Sequence, residues 1–355
     1  MKSTDFSATT SSGLPEFLTE ASELIQQQMF QSIPDREPKE SLYNLMRDYP
    51  SRGGKKFRSA LVLLSSEWFG GTIANALASA VAYELFQNFA LIHDDIEDDS
   101  LIRRGKETLH RMHGIPLALN AGDTMLSLVY EVLLSNKQKL GYDLSFQIME
   151  HFNMVARHTF EGQAMDIGWI VHDRFPSKAE YQEMITCKTG WYSGKGPCQC
   201  GAMIGGAADG DIELIGKFGE AIGIGFQARD DVLNLLTTSE QEAPNANAGG
   251  YGKERGGDIA EGKRTLIVIE LFDRLSKGEA DYLHQILLTP REKNSEEEIE
   301  WVIKHAKTSG ALDAVIVYCE EYARIALDCL EALPNHPVRD LMKELVSYLV
   351  IDRNF

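Results

Sequence analysis

Apolar residues recur three and four positions apart along almost the whole chain from about residue 16 onward. The segments 'LPEFLTEASELIQQQMF' and 'ALDAVIVYCEEYARIALDCLEAL' show this spacing, which is typical of amphipathic helices. The alternation of apolar and polar residues that indicates a β-strand is not sustained anywhere. Short breaks such as 'YPSRGG', 'HGIP' and 'LPNHP' separate the helical stretches. The pattern therefore predicts an all-α protein of about a dozen helices.

One long irregular segment interrupts this pattern at residues 237–265, where glycine and charged residues are frequent. A loop of this length inside a compact helical domain is usually functional or disordered. No repeat of fixed period and no linker divides the rest of the chain. We therefore predict a flexible tail at residues 1–14 and one large helical domain at residues 15–355.

The composition is that of an ordinary globular protein, since 43% of the 355 residues are apolar and 25% are charged. The 53 acidic and 35 basic residues give a net charge of −18. This excess of negative charge disfavours nucleic acid or an anionic membrane surface as the main partner. Any anionic substrate must then be held by local basic groups or by metal ions.

The uninterrupted apolar runs are far shorter than the roughly 20 residues that cross a bilayer, so no transmembrane segment is predicted. The N-terminal stretch 'MKSTDFSATTSSG' lacks the apolar core of a signal peptide. Five cysteines, an odd number, favour reduced thiols and a cytoplasmic protein. Cys198 and Cys200 near Cys187 could suggest zinc, but their spacing is not that of a zinc knuckle.

Two acidic pairs follow apolar helical runs. Asp94 and Asp98, after 'YELFQNFALI', lie one turn apart on one helix face and could share metal ions. Asp230 and Asp231 in 'GFQARDDVLNL' repeat the arrangement, with Asn234 at the position that corresponds to Asp98. A solvated acidic face is the alternative, but such faces do not usually continue a core helix. Magnesium is the expected ion, because it joins carboxylates to phosphate oxygens.

Small sets of basic residues lie beside glycines, where backbone N–H groups can approach an anion closely. They are Lys55, Lys56 and Arg58 in 'GGKKFR', Arg103 and Arg104 in 'RRGK', Lys188 in 'KTG', Lys253 in 'GKERGG', and Lys263 and Arg264 in 'EGKRT'. Arginine pairs could hold one diphosphate without metal, while the carboxylates and magnesium hold another. Each set alone could be solvated, but together with the acidic pairs they indicate phosphate binding.

In this order the motifs resemble those of the polyprenyl synthetase family, the trans-isoprenyl diphosphate synthases. The matching stretches run from residue 53 almost to the end: 'GGKKFR', 'DDIED' with 'RRG', 'GQAMD', 'KTG', 'FQARDD' and 'GKERGGDIAEGKRTL'. The resemblance implies antiparallel helices around a deep central cavity, generally in a homodimer. It also implies a reaction in which an allylic diphosphate ionises and alkylates isopentenyl diphosphate head-to-tail, with magnesium and basic side chains stabilising the departing diphosphate.

The resemblance assigns roles to the matching positions of this chain. Asp94 and Asp98 would bind two magnesium ions and Asp230 a third. The allylic diphosphate would contact Arg103, Lys188, Lys253 and Lys263, and isopentenyl diphosphate would contact Lys55, Arg58, Gln87 and Arg104. Thr189 and Gln227 would point their oxygens toward the developing cation, and the leaving diphosphate would accept the proton. The acidic and basic groups of residues 94–104 are expected to meet through the substrate rather than to pair with each other.

Three positions depart from the family pattern. Ser59 stands where proline is frequent. Asn234 replaces the last aspartate of the second motif, and its amide could coordinate a metal or bind a metal-bound water; activity is expected. Pro197 falls inside the helix expected after Lys188 and predicts a kink there.

The length of the product is expected to depend on residues before Asp94 on the same helix. Ala90, one turn below, leaves room, while Phe89 and Phe86, about 7.5 and 12 Å below by helix rise, narrow the channel. This combination resembles the geranylgeranyl type and predicts a C20 product. Farnesyl (C15) products, products of C25 or longer, and a purely structural role for both phenylalanines are the alternatives.

Two other functions remain open. A terpene cyclase on the same scaffold would not need Lys55, Arg58 and Arg104, which are present. A non-catalytic subunit that regulates a synthase by forming a heterodimer would be expected to lose the motif aspartates, which are also present.

Overall fold

The computed structural model describes residues 6–236 and 254–352. Within these residues the chain is helical almost throughout, which confirms the predicted all-α fold, and two short strands, β1 (Ile102–Arg103) and β2 (Lys106–Glu107), pair antiparallel. The helices are α1 (Leu14–Ser32), α2 (Asn44–Ser51), α3 (Phe57–Trp68), α4 (Ile73–Glu97), α5 (Leu109–His113), α6 (Ile115–Ser135), α7 (Lys137–Leu140), α8 (Tyr142–Val171), α9 (Lys178–Ile185), α10 (Gly196–Gly205), α11 (Asp209–Leu236), α12 (Gly257–Ala260), α13 (Leu266–Phe272), α14 (Lys277–Leu288), α15 (Glu296–Thr308), α16 (Ala311–Ala332) and α17 (Val338–Val346).

Several helices begin at the side-chain signals that the sequence carries. A serine accepts a backbone N–H while a glutamate three residues later bonds back to the serine N–H, which satisfies two donors at the helix start. These capping boxes are Ser177 with Glu180 before α9, Ser276 with Glu279 before α14, and Ser295 with Glu298 before α15. Local chemistry therefore defines these boundaries.

A π-helical stretch, Thr186–Lys195, continues α9 and leads into α10. A π-helix closes hydrogen bonds five residues apart, so the chain widens here relative to an α-helix. Pro197, where the sequence predicts a kink, stands in the first turn of α10, immediately after this stretch. The departure from α-helical geometry therefore precedes the proline.

The central helix α4 is buried along most of its 25 residues. It packs against α3 and α6 and also contacts α1 and α10. The second long central helix, α11, packs against α10, α16 and the Thr186–Lys195 stretch, which in turn contacts α8. Because the acidic motifs lie near the carboxyl ends of α4 and α11 as the structure describes them, this packing brings both motifs to one cavity.

Two glycines let the Thr186–Lys195 stretch approach its neighbours backbone to backbone. A Cβ added to Gly162 on α8 would lie 2.2 Å from the N atom of Lys188, and one added to Gly194 would lie 1.7 Å from the O atom of Gly219 on α11. Any side chain at these positions would push the helices apart. The main chain of Lys188 is therefore held directly against α8.

Residues 6–13, part of the predicted tail, contact the helical domain. The Ser7 hydroxyl and the Ala8 N–H donate to the two carboxylate oxygens of Glu67 at 2.5 and 2.8 Å. Ala8 is buried in the hydrophobic core. The flexibility of residues 1–14 and the domain boundary after them stay predictions.

One helical stretch among the described residues, Ile115–Leu140, is long and apolar enough to cross a membrane by length and composition alone. Single polar residues such as Asp123 divide this stretch into short apolar runs, so the apolar runs of the sequence do not predict it. One such helix is weak evidence for a membrane protein, because core helices of soluble proteins pass the same test. The large apolar side chains that it exposes are Ile115, Leu117, Leu119 and Leu134.

Replacing Gly162 with alanine should lower the free energy of unfolding by about 1–3 kcal/mol, because the new Cβ overlaps the backbone of Lys188. Gly168→Ala on the same helix is the matched control, since nothing lies within 4 Å of the Cβ position there. The helix propensity of alanine should make that variant more stable by about 0.5–1 kcal/mol. Denaturant unfolding measures both, and equal values would contradict the close approach.

Candidate active site

The bundle encloses a cavity of about 350 Å³. Most of the predicted site residues line it: Lys55, Arg58, Gln87, Phe89, Ala90, Asp94, Arg103, Arg104, Lys188, Thr189, Gln227, Asp230 and Lys263. Two predicted residues, Phe86 and Asp98, are not part of the lining, and Lys253 lies outside the described residues. The lining also contains Phe160, Gln163 and Asp166 from α8, to which the sequence analysis assigned no role.

Asp94 lies in the last turn of α4, and side chains from three other elements reach its carboxylate. The Gln163 amide and the Arg103 guanidinium each donate to it at 3.4 Å, and the Lys188 ammonium lies 3.7 Å away. Lys188 also pairs with Asp166 at 2.5 Å. Burial alone would lower the pKa of Lys188, but the carboxylates of Asp166 and Asp94 raise it well above its usual value. This ammonium therefore stays charged.

Asp98 caps α4, and its carboxylate lies 2.6 Å from the Lys263 ammonium. Lys263 also lies 2.7 Å from Glu261 and 3.6 Å from Asp258. Burial raises the pKa of Asp98 to about 7, and Lys263 opposes this shift. Burial alone would lower the pKa of Lys263, but Asp98, Glu261 and Asp258 raise it well above its usual value. One ammonium thus compensates carboxylates from two segments.

Arg103 in β1 pairs directly with Asp95, the second aspartate of the first motif. Its Nε donates to Oδ1 at 2.9 Å, and its Nη2 donates to the same oxygen. The Tyr49 hydroxyl donates to Oδ2 of Asp95 at 2.5 Å and accepts the N–H of Leu109. The expectation that these acidic and basic groups meet through the substrate is therefore wrong for this pair. A carboxylate with no exposed surface needs a counter-charge inside the fold.

A second cationic group in the cavity consists of Lys55, Arg58 and Arg104, and Gln87 lines the same cavity. Arg58 Nη2 donates to the Ser193 hydroxyl at 2.7 Å, and its guanidinium lies over the rings of its neighbours Phe57 and Tyr192. These contacts hold the guanidinium plane in one orientation. A fixed guanidinium can present parallel N–H donors to a diphosphate.

Arg104 is held by the backbone around it. Its Nη1 donates to the carbonyl of Tyr49 at 2.7 Å. Gly54 has a φ of +133°, and a Cβ there would lie 3.0 Å from Arg104 Nη2, so the glycine lets the 'GGKKFR' loop reach the guanidinium. Burial lowers the pKa of Arg104 to about 10, and the carboxylate of Glu84 opposes this shift.

Thr189 and Gln227 both line the cavity, and the Thr189 hydroxyl lies 3.5 Å from Gln227 Oε1. The amide orientation is set by Asp231, which accepts a hydrogen bond from Gln227 Nε2 at 2.9 Å and another from the Tyr181 hydroxyl at 3.3 Å. Because the Nε2 atom is occupied, the carbonyl oxygen is the end of the amide beside Thr189. This role of Asp231 is not among the predictions from the sequence, although its position four residues after Gln227 on one helix could have indicated it.

Aromatic rings form the apolar part of the cavity. Phe89 and Phe160 both line it, with 5.9 Å between their ring centroids. Phe86 packs behind them at 5.4 Å from Phe89 and 6.0 Å from Phe160, so it supports the wall rather than facing the cavity. Phe160 is not among the cavity residues predicted from the sequence, although it lies three residues before Gln163 in 'FEGQAMD' and therefore on the same side of α8.

The fold has close structural neighbours. A crystal structure of geranylgeranyl pyrophosphate synthetase from Pyrococcus horikoshii superposes with a TM-score of 0.82 at 30% sequence identity, over 95% of this chain and 98% of that one. The chain thus has the all-α isoprenoid synthase fold.

The sequence comparisons define the family. The polyprenyl synthetase family model matches residues 39–306. The geranylgeranyl pyrophosphate synthase of Geoglobus acetivorans is 32% identical over 95% of this chain and 98% of its own length. A short chain isoprenyl diphosphate synthase of Methanothermobacter thermautotrophicus is 33% identical over 94% and 97%. The chain belongs to the polyprenyl synthetase family, which confirms the resemblance stated from its motifs.

Replacing Asp95 with asparagine should lower the free energy of unfolding by about 3–5 kcal/mol, because the guanidinium of Arg103 then loses its buried counter-charge. Asp99→Asn is the matched control in the same stretch. Asp99 pairs with Arg111 at the exposed surface, and asparagine tolerates its positive φ, so about 0–1 kcal/mol is expected. Denaturant unfolding of both variants measures the difference, and a small effect for both would contradict the structural role of the Arg103–Asp95 pair.

Proposed function

We propose that this protein condenses isopentenyl diphosphate head-to-tail with an allylic diphosphate and releases geranylgeranyl diphosphate, a C20 product. The observation that carries the proposal is a single cavity with two cationic groups and an apolar wall. Lys188 and Lys263 lie among the motif carboxylates, whereas Arg58 and Arg104 lie in a separate group. A diphosphate that binds together with metal ions would fit the first group, and a diphosphate that binds without metal would fit the second.

Magnesium fits the donor set near the first group, which consists of carboxylate oxygens. Asp94, Asp98 and Asp230 would hold the ions, three in number. Among residues 6–236 and 254–352, no three acidic, histidine or cysteine side chains converge on a metal position by themselves. Mg²⁺ commonly takes one or two carboxylates and completes its coordination with substrate phosphates and water. When bound, the ions would neutralise charge on the departing diphosphate.

The side chains of the cavity supply the remaining steps. Arg103, Lys188 and Lys263 would donate hydrogen bonds to the allylic diphosphate as its C–O bond breaks, and Lys253 would join them. Lys55, Arg58, Gln87 and Arg104 would hold isopentenyl diphosphate without metal. Its double bond attacks the allylic carbon, a C–C bond forms, and one proton passes to the leaving diphosphate. The oxygens of Thr189 and Gln227 would face the cation that exists between these events.

The apolar wall supports a C20 product. Ala90 lines the cavity one helical turn, about 5–6 Å, before Asp94, so a growing chain has room there. Phe89 and Phe160 line the same cavity and would stop the chain. The name of the Geoglobus relative, at 32% identity, supports the same length. Farnesyl and longer products are the alternatives that a product assay separates.

We also propose that the protein is a cytoplasmic homodimer. A second copy would cover apolar side chains that α6 exposes, among them Ile115 at 54% exposure and Leu119 one turn later on the same face. This arrangement accounts for the apolar character of α6 without a membrane. All five cysteines are free thiols, which agrees with a reducing compartment.

The decisive experiment incubates the purified protein with isopentenyl diphosphate, magnesium and each of the C5, C10 and C15 allylic diphosphates, and then sizes the dephosphorylated products. A C20 prenol is expected as the main product. Asp94→Asn should lower kcat/KM by at least about a hundredfold, whereas Asp99→Asn should not.

The same assay tests the competing functions. No elongated prenol with any primer would contradict the proposal. A cyclic hydrocarbon would indicate a terpene cyclase, and diphosphate binding without turnover would indicate a regulatory subunit. Intact Arg58 and Arg104 in the cavity argue against the cyclase.

Phe89→Ala should lengthen the product by one or more C5 units, because it removes a ring from the cavity wall. Phe160→Ala should act in the same direction, since the two rings pack against each other. Phe272→Ala on α13, outside the cavity lining, is the control. Chromatography of the dephosphorylated products measures their length. Unchanged products in both cavity variants would mean that other residues stop the growing chain.

A further inference from the structure

Asn234 occupies the position at which the second acidic motif of this family has an aspartate. It lies one helical turn after Asp230 on α11, and the sequence predicts its amide near the metal ions. The side chain is 1% exposed and is not part of the cavity lining. Its side-chain hydrogen bonds go to residues 254–263, a segment that we call the strap.

The strap is bonded to Asn234 through its backbone. Asn234 Nδ2 donates to the carbonyl of Glu254 at 3.3 Å, and Oδ1 accepts the N–H of Asp258 at 3.3 Å. The main-chain carbonyl of Asn234 accepts the N–H of Gly256 at 2.9 Å. One residue of α11 therefore holds three backbone groups of the strap.

These partners require an amide at position 234. The carbonyl of Glu254 needs a donor and the N–H of Asp258 needs an acceptor, so the two ends of the Asn234 side chain cannot be exchanged. A carboxylate of the same shape has no donor and would set an oxygen against the carbonyl of Glu254. It would also add negative charge beside Asp258.

The strap carries Lys263 to the end of α4. Lys263 and Asp258 both line the cavity, and the ammonium lies 2.6 Å from Asp98. The strap contains one helical turn, Gly257–Ala260, and its own backbone hydrogen bonds, including one from the Lys263 N–H to the carbonyl of Asp258 at 2.9 Å, hold it together as one unit. Its attachment to neighbouring elements must therefore determine where the ammonium lies.

A second attachment acts on the side chains of the strap. Arg291 Nη1 donates to the carboxylate of Glu261 at 2.9 Å, and Arg291 Nη2 contacts Glu254. The Ser100 hydroxyl, just after Asp98, donates to Glu261 at 3.0 Å. Arg291 thus holds acidic side chains of the strap, whereas Asn234 on α11 bonds the backbone of the strap through its amide.

We propose that Asn234 is a positioning residue that fastens the strap to α11 and so keeps Lys263 at the carboxylate of Asp98. The proposal rests on the function proposed above, in which Lys263 contacts the allylic diphosphate. It replaces the prediction of an amide at the metal site. Restoring the aspartate of the family motif in this chain then weakens the allylic site rather than improving metal binding.

Asn234→Asp and Asn234→Ala test the proposal. Both remove the bond to Glu254, and only the first adds charge. In hydrogen exchange of the wild type and both variants, strap peptides 254–263 should exchange about tenfold faster in the variants. In steady-state assays with magnesium, KM for the allylic diphosphate should rise about tenfold in both variants, while KM for isopentenyl diphosphate changes less than twofold.

Asn136→Asp is the matched control. Asn136 is also buried and donates a side-chain hydrogen bond, to Ser79, but it lies between α6 and α7, away from the strap. Exchange of the strap and both KM values should match the wild type in this variant. A general loss of stability would change both KM values alike, so the difference between the two substrates identifies positioning.

Two results would overturn the proposal. If the strap peptides of Asn234→Ala exchanged hydrogen at the wild-type rate, the amide would not hold the strap. A lower magnesium concentration for half-maximal rate in Asn234→Asp, with an unchanged allylic KM, would make position 234 part of the metal site. Hydrogen exchange needs no turnover, so failure of the prenyl assay with faster strap exchange would refute the function proposed above and leave the attachment standing.

Discussion

The compensation of buried acidic charge is the constraint on which the rest of the structure depends. Asp94, Asp95 and Asp98 stand at the inner end of one helix, where isolated carboxylates would be costly. Each acquires a cation from a different part of the chain: Arg103 from the β1–β2 hairpin, Lys188 from the π-helical stretch and Lys263 from the strap. Distant segments are therefore held around the cavity by the same charges that define its chemistry.

The two cationic groups of the cavity differ in their surroundings, and this difference assigns them different tasks. Lys188 and Lys263 are each within 4 Å of carboxylates, so their net field is small. Arg58 and Arg104 are instead oriented by neutral groups, the Ser193 hydroxyl and the carbonyl of Tyr49. An anion reaching the second group meets several cationic side chains near the carboxylate of Glu84, which suits a diphosphate that brings no metal with it.

The sequence predicted the fold and the cavity lining well, because helical periodicity and short motifs report local structure. It could not predict which groups pair across the bundle. Arg103 is expected at the substrate and Asn234 near the metal ions, yet Arg103 bonds Asp95 and Asn234 bonds the strap. Spacing along one helix orients a residue relative to its own helix only. Phe160 was missed for the same reason, since its partner Phe89 lies 71 positions away in the chain.

Because the backbone of Lys188 packs against Gly162, the position of Lys188 and the shape of the apolar wall can change independently. The backbone of Lys188, which carries the ammonium, packs against the backbone of α8 at Gly162. The apolar wall of the cavity consists instead of side chains such as Phe89 and Phe160, which substitutions can change. Substitutions that reshape the apolar wall leave the backbone contact in place. A lineage could therefore diversify its products through side chains alone while inheriting one unchanged catalytic frame.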